Sequence, residues 1–222
     1  MSLIQHWKLD DYASSTTIVA TVGNDGTLVG GGNTDASGRS VAGPGGSITK
    51  GIYFAGTHYI DISAASLSIS YTQDCSISLW AKITSGAGRF SGQAATQNNG
   101  MLLWSGTTLT IRYGGSENFT TPTAHNADSD WHHFVWVVTG GGTASYNAYM
   151  DGSLLSGTQT GTGSYSPTRL GYVFNSSFDG AMAQVKIFTN TLNQTDVDAL
   201  YAEGTGGGGG DPVTPYPYAI CV

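Results

Sequence analysis

Between Ser76 and Ile83 the chain alternates strictly, with Ile77, Leu79, Ala81 and Ile83 on one side and Ser76, Ser78, Trp80 and Lys82 on the other. A side chain returning to the same face at every second position is the period of a β-strand, not of a helix. Leu109, Ile111 and Tyr113 repeat the pattern within Leu109-Thr110-Ile111-Arg112-Tyr113. Trp131 to Val138 becomes apolar on both faces in its second half, which predicts a central strand covered from both sides. From about residue 4 to residue 188 such runs are separated by turns of Gly, Asn, Asp and Ser, the pattern of a β-sandwich.

Composition excludes the alternatives. The 222 residues include 33 Gly, and 10% of the chain is charged, against about 25% in an ordinary soluble domain. A helical bundle made from this chain would lack wet faces. Disorder is excluded by the 39% hydrophobic and 11% aromatic content, which is enough to offset chain entropy. The length suits one all-β domain. A net charge of -7 without any Lys/Arg cluster argues against nucleic acid and anionic membranes as partners. No apolar run approaches the roughly 18–20 residues of a membrane span, so no membrane insertion is expected. The opening Met1 to Trp7 has neither a cationic start nor an apolar block, which predicts synthesis in a cytoplasm without a signal peptide. Cys75 and Cys221 lie far apart with no C-x-x-C spacing, so neither a disulfide nor a zinc site is expected.

Tyr149-Met150-Asp151-Gly152 leading to Leu154-Leu155 predicts a tight hairpin, because Asp-Gly tolerates positive φ. Met101 to Trp104, a short turn and Leu109 predict another. The glycine-rich stretch from Gly30 to Gly46 reads as loop. One helix is expected near the end: Asn193 caps it, Asp196 lies in its first turn, Val197, Leu200 and Tyr201 form one face, and Gly204 stops it. The predicted organisation is a sandwich over 1–204 followed by a tether and tail over 205–222. Gly206 to Gly210 is the tether, and Pro212, Pro215, Tyr216, Pro217 and Tyr218 favour an extended tail that docks on a partner.

Several stretches together resemble the laminin G-like, concanavalin A-like lectin/glucanase superfamily. They are His6-Trp7-Lys8-Leu9-Asp10-Asp11, Gly51-Ile52-Tyr53-Phe54-Ala55-Gly56, Asp130-Trp131-His132-His133, Tyr149-Met150-Asp151-Gly152 and Phe178-Asp179-Gly180 through Phe188. The resemblance spans roughly residues 4 to 204. It implies a two-sheet antiparallel jelly roll with one short C-terminal helix, in which the first and last strands pair. Much of the family carries Asp and Glu where this chain has Ala183 and Gln184, which weakens any acidic chemistry there. The fold hosts lectins, adhesion modules, hydrolases and virion parts alike, so it does not by itself specify function.

The glucanase branch uses an E-x-D-x-x-E strand, since glycoside hydrolysis needs two facing carboxylates. This chain has only Glu117 and Glu203, neither in such a motif, and no enzyme is predicted. His132 and His133 point to opposite faces of one strand, so they cannot share a ligand there, and structural roles are expected for both. Calcium is implied by the resemblance, and Asp128 with Asp130 is the candidate pair. An Asx-turn explains the same spacing without metal. Carbohydrate binding needs an aromatic face beside planar polar groups. The candidates are Trp80, Trp104, Arg112, Tyr113 and Tyr172, with core packing as the competing role for both tryptophans.

These expectations combine into a non-enzymatic binding or structural module. It is read as a bacteriophage-type virion surface, decoration or fibre subunit, homo-oligomeric or docked on other subunits through its tail, with a glycan as the ligand to test. A stand-alone cellular lectin or adhesion module is the alternative, followed by a carbohydrate-active hydrolase.

Overall fold

The computed structural model describes residues 1–11, 14–30, 36–70, 72–84, 88–93, 101–105, 108–113, 116–120, 128–141, 144–155, 159–161, 164–172 and 178–206. Over 101–120 and 159–161 it describes the backbone alone. Among these residues two antiparallel sheets face each other, as the alternation predicts. The first runs in the order Ser153–Leu154, Ala144–Met150, Trp131–Thr139, Cys75–Ile83, Gly180–Phe188, Leu3–Trp7 and Ala20–Val22. The second runs Ser116–Thr120, Thr108–Tyr113, Met101–Ser105, Gly88–Gly92, Arg169–Gly171, Tyr59–Asp61, Gly26–Val29 and Thr17–Ile18. The first and last strands pair as expected, with His6 opposite Lys186 and Trp7 opposite Val185.

The core lies between the sheets. Ile77, Leu79, Ala81 and Ile83 enter it from one strand and Phe134, Trp136 and Val138 from its neighbour. Burial of such side chains stabilises by about 1.5–3 kcal/mol each. Strand Trp131–Thr139 is covered on its other face too, because Val135 and Val137 pack with Val197 and Leu200 of the C-terminal helix. Cys75 is fully buried, and Cys221 lies outside the described residues.

Local structure follows the sequence at most positions. The 149–154 hairpin forms with φ of 49° at Asp151 and 77° at Gly152, the left-handed pair that its twist requires. Ser105 pairs with Thr108 in the second predicted hairpin. The helix spans Gln194–Thr205, and Asn193 and Asp196 close a reciprocal capping box.

Two expectations need correction. Gly204 does not stop the helix; the chain turns left-handed at Gly206, with φ 66°. Gly204 is small for another reason, since a Cβ there would lie 2.2 Å from Trp80 Cζ2. The stretch read as loop up to Gly46 contains a strand, Ser40–Gly45, paired with Ile48–Phe54. Its Gly and Pro residues carry no alternation, yet Gly43 fits only as glycine, because a Cβ would meet the Ile48 carbonyl at 2.3 Å.

Candidate functional site

The C-terminal helix and the turn after strand Ser40–Gly45 border an open cavity of about 460 Å³ on the outer side of the first sheet. The turn is fastened to the helix end, where Ser47 N–H and Oγ–H both donate to the Glu203 carbonyl at 2.9 and 3.1 Å. Trp80, Trp131 and Tyr201 supply aromatic rings, and Asp130, His132 and Asp151 supply the ionisable groups.

Trp80 is 3% exposed. Its ring stacks on Tyr201 at 5.7 Å and 12°, and lies 5.2 Å from His133. The expectation of a wet stacking face at Trp80 is therefore corrected: the helix covers that side of the strand and turns the ring into the cavity's inner wall. Its indole N–H has no hydrogen-bond partner. A buried donor in that state carries a desolvation cost of about 1–3 kcal/mol. Tyr201 and Trp131 are half-buried, and Trp131 donates from Nε1 to the Ala42 carbonyl at 3.2 Å, which fixes its ring.

His132 bridges two carboxylates, with Nδ1 2.6 Å from Asp151 Oδ2 and Nε2 3.0 Å from Asp128 Oδ2. Burial alone lowers the imidazole pKa, but the hydrogen bonds and charges of Asp151 and Asp128 outweigh it, and the net direction is up. Asp151 Oδ1 also accepts the His133 backbone N–H at 2.9 Å. Burial, then the Asp151 charge, raise the Tyr201 pKa and keep its phenol an O–H donor.

His132 and His133 behave as their adjacency predicts. His133 points the other way from the Asp pair, is 1% exposed, and shares a 2.9 Å hydrogen bond with Ser78 Oγ. Asp128 Oδ1 accepts the Asp130 N–H at 2.9 Å, an Asx-turn, while its other oxygen holds His132. Both oxygens of Asp128 are thus engaged within the turn, whereas calcium takes about six to eight oxygen ligands. Among the described residues no group of three or more His, Cys, Asp or Glu is placed to hold a metal ion.

Of the remaining sequence candidates only Tyr172 has a described side chain, and it does not line this cavity. Tyr172 is half-buried just beyond strand Arg169–Gly171 of the second sheet. Trp104 pairs with Leu109 and Arg112 with Met101 in backbone register, and Tyr113 with Ser116; the side chains of these three lie outside the described residues. Pro212, Pro215, Tyr216, Pro217 and Tyr218 also lie outside them. On the second sheet Arg169 sits 4.0 Å above the Tyr59 ring. A larger cavity of about 640 Å³ is lined by Ser66, Ser68, Thr72 and Thr189 with Ile4 and Leu67, with no aromatic ring among its described lining residues.

Sequence reasoning missed Tyr201, Trp131 and Asp151 as site residues. Tyr201 reads as helix core and Asp151 as turn, and only tertiary contact brings them together. Among the described residues no helix is long and apolar enough to cross a membrane.

A two-sheet antiparallel sandwich with a helix across one face and an aromatic, carboxylate-lined cavity beneath it defines a lectin-like class of domain. The sequence profile described as "Concanavalin A-like lectin/glucanases superfamily" matches residues 54–198, and the chain belongs to that superfamily. A search of curated proteins finds no significant match.

Solved structures share the fold. One is domain 4 of AbnA, a GH43 extracellular arabinanase from Geobacillus stearothermophilus, in complex with arabinotriose. It has a TM-score of 0.60 and 20% identity, over 90% of this chain and 98% of that one. A second is from a study of botulinum neurotoxin type C, whose cell entry is dependent upon interaction with two ganglioside molecules; its TM-score is 0.59 and its identity 13%, over 91% of this chain and 51% of that one. A mutant Trypanosoma rangeli sialidase displaying trans-sialidase activity has a TM-score of 0.58 and 12% identity, over 90% of this chain and 32% of that one. This chain thus spans about half of the toxin chain and a third of the sialidase chain.

Proposed function

We propose that this protein is a non-enzymatic carbohydrate-binding module and that the cavity beneath the helix is its sugar site. The observation that carries this reading is a cavity walled by the half-buried rings of Tyr201 and Trp131 and edged by Asp130 and Asp151. Sugars present a C–H face to aromatic rings and hydroxyls to carboxylates, and a cavity of this volume lies within the roughly 300–1,000 Å³ of small-molecule sites. The arabinanase domain solved with arabinotriose, which resembles this chain over nearly its whole length, supports the same class of ligand.

The non-enzymatic part of the reading is supported by the acids that are present. Asp128 and Asp151 are both tied to His132, and Glu203 is paired with Lys186 through both oxygens, at 2.7 and 2.6 Å. A glycan array followed by calorimetry on the full chain tests the proposal. Binding is expected to weaken about tenfold or more in Trp131→Ala, the loss of one stacking ring, with no release of reducing sugar from any bound glycan. An array without hits removes the reading, and turnover removes its non-enzymatic half.

The wider setting we propose is a virion surface or fibre subunit. The glycine run and the Pro/Tyr-rich sequence that follow residue 206 support a subunit that docks on an assembly.

A further inference from the structure

We infer that the cavity selects an uncharged sugar unit and rejects acidic sugars such as uronic or sialic acids. This inference rests on the carbohydrate reading above and narrows it to a ligand class.

The charges on the wall decide the sign. Asp130 and Asp151 line the cavity together with His132, so the lining carries two carboxylates against one imidazole. Asp128 stands directly behind, 3.0 Å from His132 Nε2. Even with His132 protonated the cluster of three aspartates and one histidine is net negative. Among the described residues no lysine or arginine lines the cavity. Lys186, the buried cation nearest in the fold to the helix end, is held by both oxygens of Glu203. Lys82 lies opposite Trp131 in strand register but is not part of the cavity wall. A ligand carboxylate entering here meets like charge at the exposed Asp130, a repulsion that is felt most at low salt.

The hydrogen-bonding inventory points the same way. The Trp80 N–H edge is packed against the helix at Gly204, where a Cβ would lie 2.5 Å from Cε2, and is closed to a ligand. Tyr201, which lines the cavity, keeps its proton and can donate. Asp130 can only accept, and its backbone N–H is already committed to Asp128. A ligand here meets a phenolic donor and a carboxylate acceptor. A sugar hydroxyl suits both, whereas an ionised carboxylate supplies acceptors only and leaves Asp130 facing like charge.

The test compares three probes against the full chain by calorimetry and tryptophan fluorescence at pH 7 and low salt: arabinotriose, trigalacturonate and sialyllactose. The neutral trisaccharide is expected to bind at least tenfold more tightly than either acidic one. In Asp130→Asn the acidic probes are expected to gain several-fold while the neutral one changes by less. Asp130 is exposed, so this variant leaves the core untouched, and an unchanged melting temperature verifies that. Equal or tighter binding of the acidic probes overturns the selectivity and leaves the carbohydrate reading standing. Binding of none of the three, together with an empty glycan array, overturns both. Selectivity that survives Asp130→Asn unchanged overturns the role given to that carboxylate.

Discussion

Lys186, 7% exposed, stands opposite His6 in strand register, and its charge adds to the burial that keeps His6 and His133 neutral. Burial, then the Lys186 charge, lower His6 to about 4 and His133 to about 3. His133 has one partner, Ser78, and its Nδ1 has none, so a proton added there would carry a buried N–H without an acceptor. Both groups are neutral in the fold, while in the unfolded chain they take up protons near pH 6.5. Stability is therefore expected to fall as pH drops below about 6.5, by up to about 1.4 kcal/mol per pH unit for each histidine, until their folded pKa values are reached. His132 has the opposite sign. Its folded pKa is raised, so its contribution is complete below the unfolded value and is lost as pH rises through the folded one. Denaturant titrations from pH 4 to 8 check both limbs: His133→Gln should flatten the acid limb and His132→Gln the other. A profile unaltered by either variant contradicts these assignments. The opposite directions of the two side chains were legible in the sequence, because strand neighbours alternate. The pairing of His132 with Asp151 was not, since the carboxylate comes from the next hairpin, 19 positions on.

At the level of elements, the C-terminal helix was legible almost completely, down to its Asn193 cap. What it covers was not: its face buries Val135, Val137 and Phe188, and its last turn closes over Trp80, contacts that no local pattern encodes. Strand Ser40–Gly45 was illegible for the converse reason, being specified by the space available at Gly43 and by its partner rather than by alternating side chains. Two substitutions separate the helix's local and tertiary determinants. Asn193→Ala removes the capping box and is expected to cost about 0.5–2 kcal/mol. Gly204→Ala improves helix propensity by up to about 1 kcal/mol. Its Cβ would nevertheless sit 2.2 Å from Trp80, and overpacking of that kind costs about 1–3 kcal/mol. The net expectation is destabilisation together with altered tryptophan emission. A more stable Gly204→Ala protein would mean that the indole is not pressed against the helix.

For the whole molecule, alternation and turn spacing made the sandwich legible, because each strand's buried face is written into its own residues. The cavity was not, because its walls come from the 40–47 turn, two central strands and the helix end. All of these lie before residue 207. The helix closes at Gly206, and Gly46 packs against Glu203 and Gly206, where a Cβ would fall within 2.4 Å of the Glu203 carbonyl oxygen. The described sheets, core and cavity are thus built from positions before 207. A chain ending at Gly206 is expected to melt within a degree or two of the full protein and to bind the same sugar with the same affinity. If the tail docks on a partner subunit, as proposed, only the full-length chain should associate in sedimentation or light-scattering measurements at matched concentration. Loss of sugar binding on truncation would move the site toward the tail. An unchanged oligomeric state would separate residues 207–222 from assembly and favour the stand-alone lectin over the virion subunit.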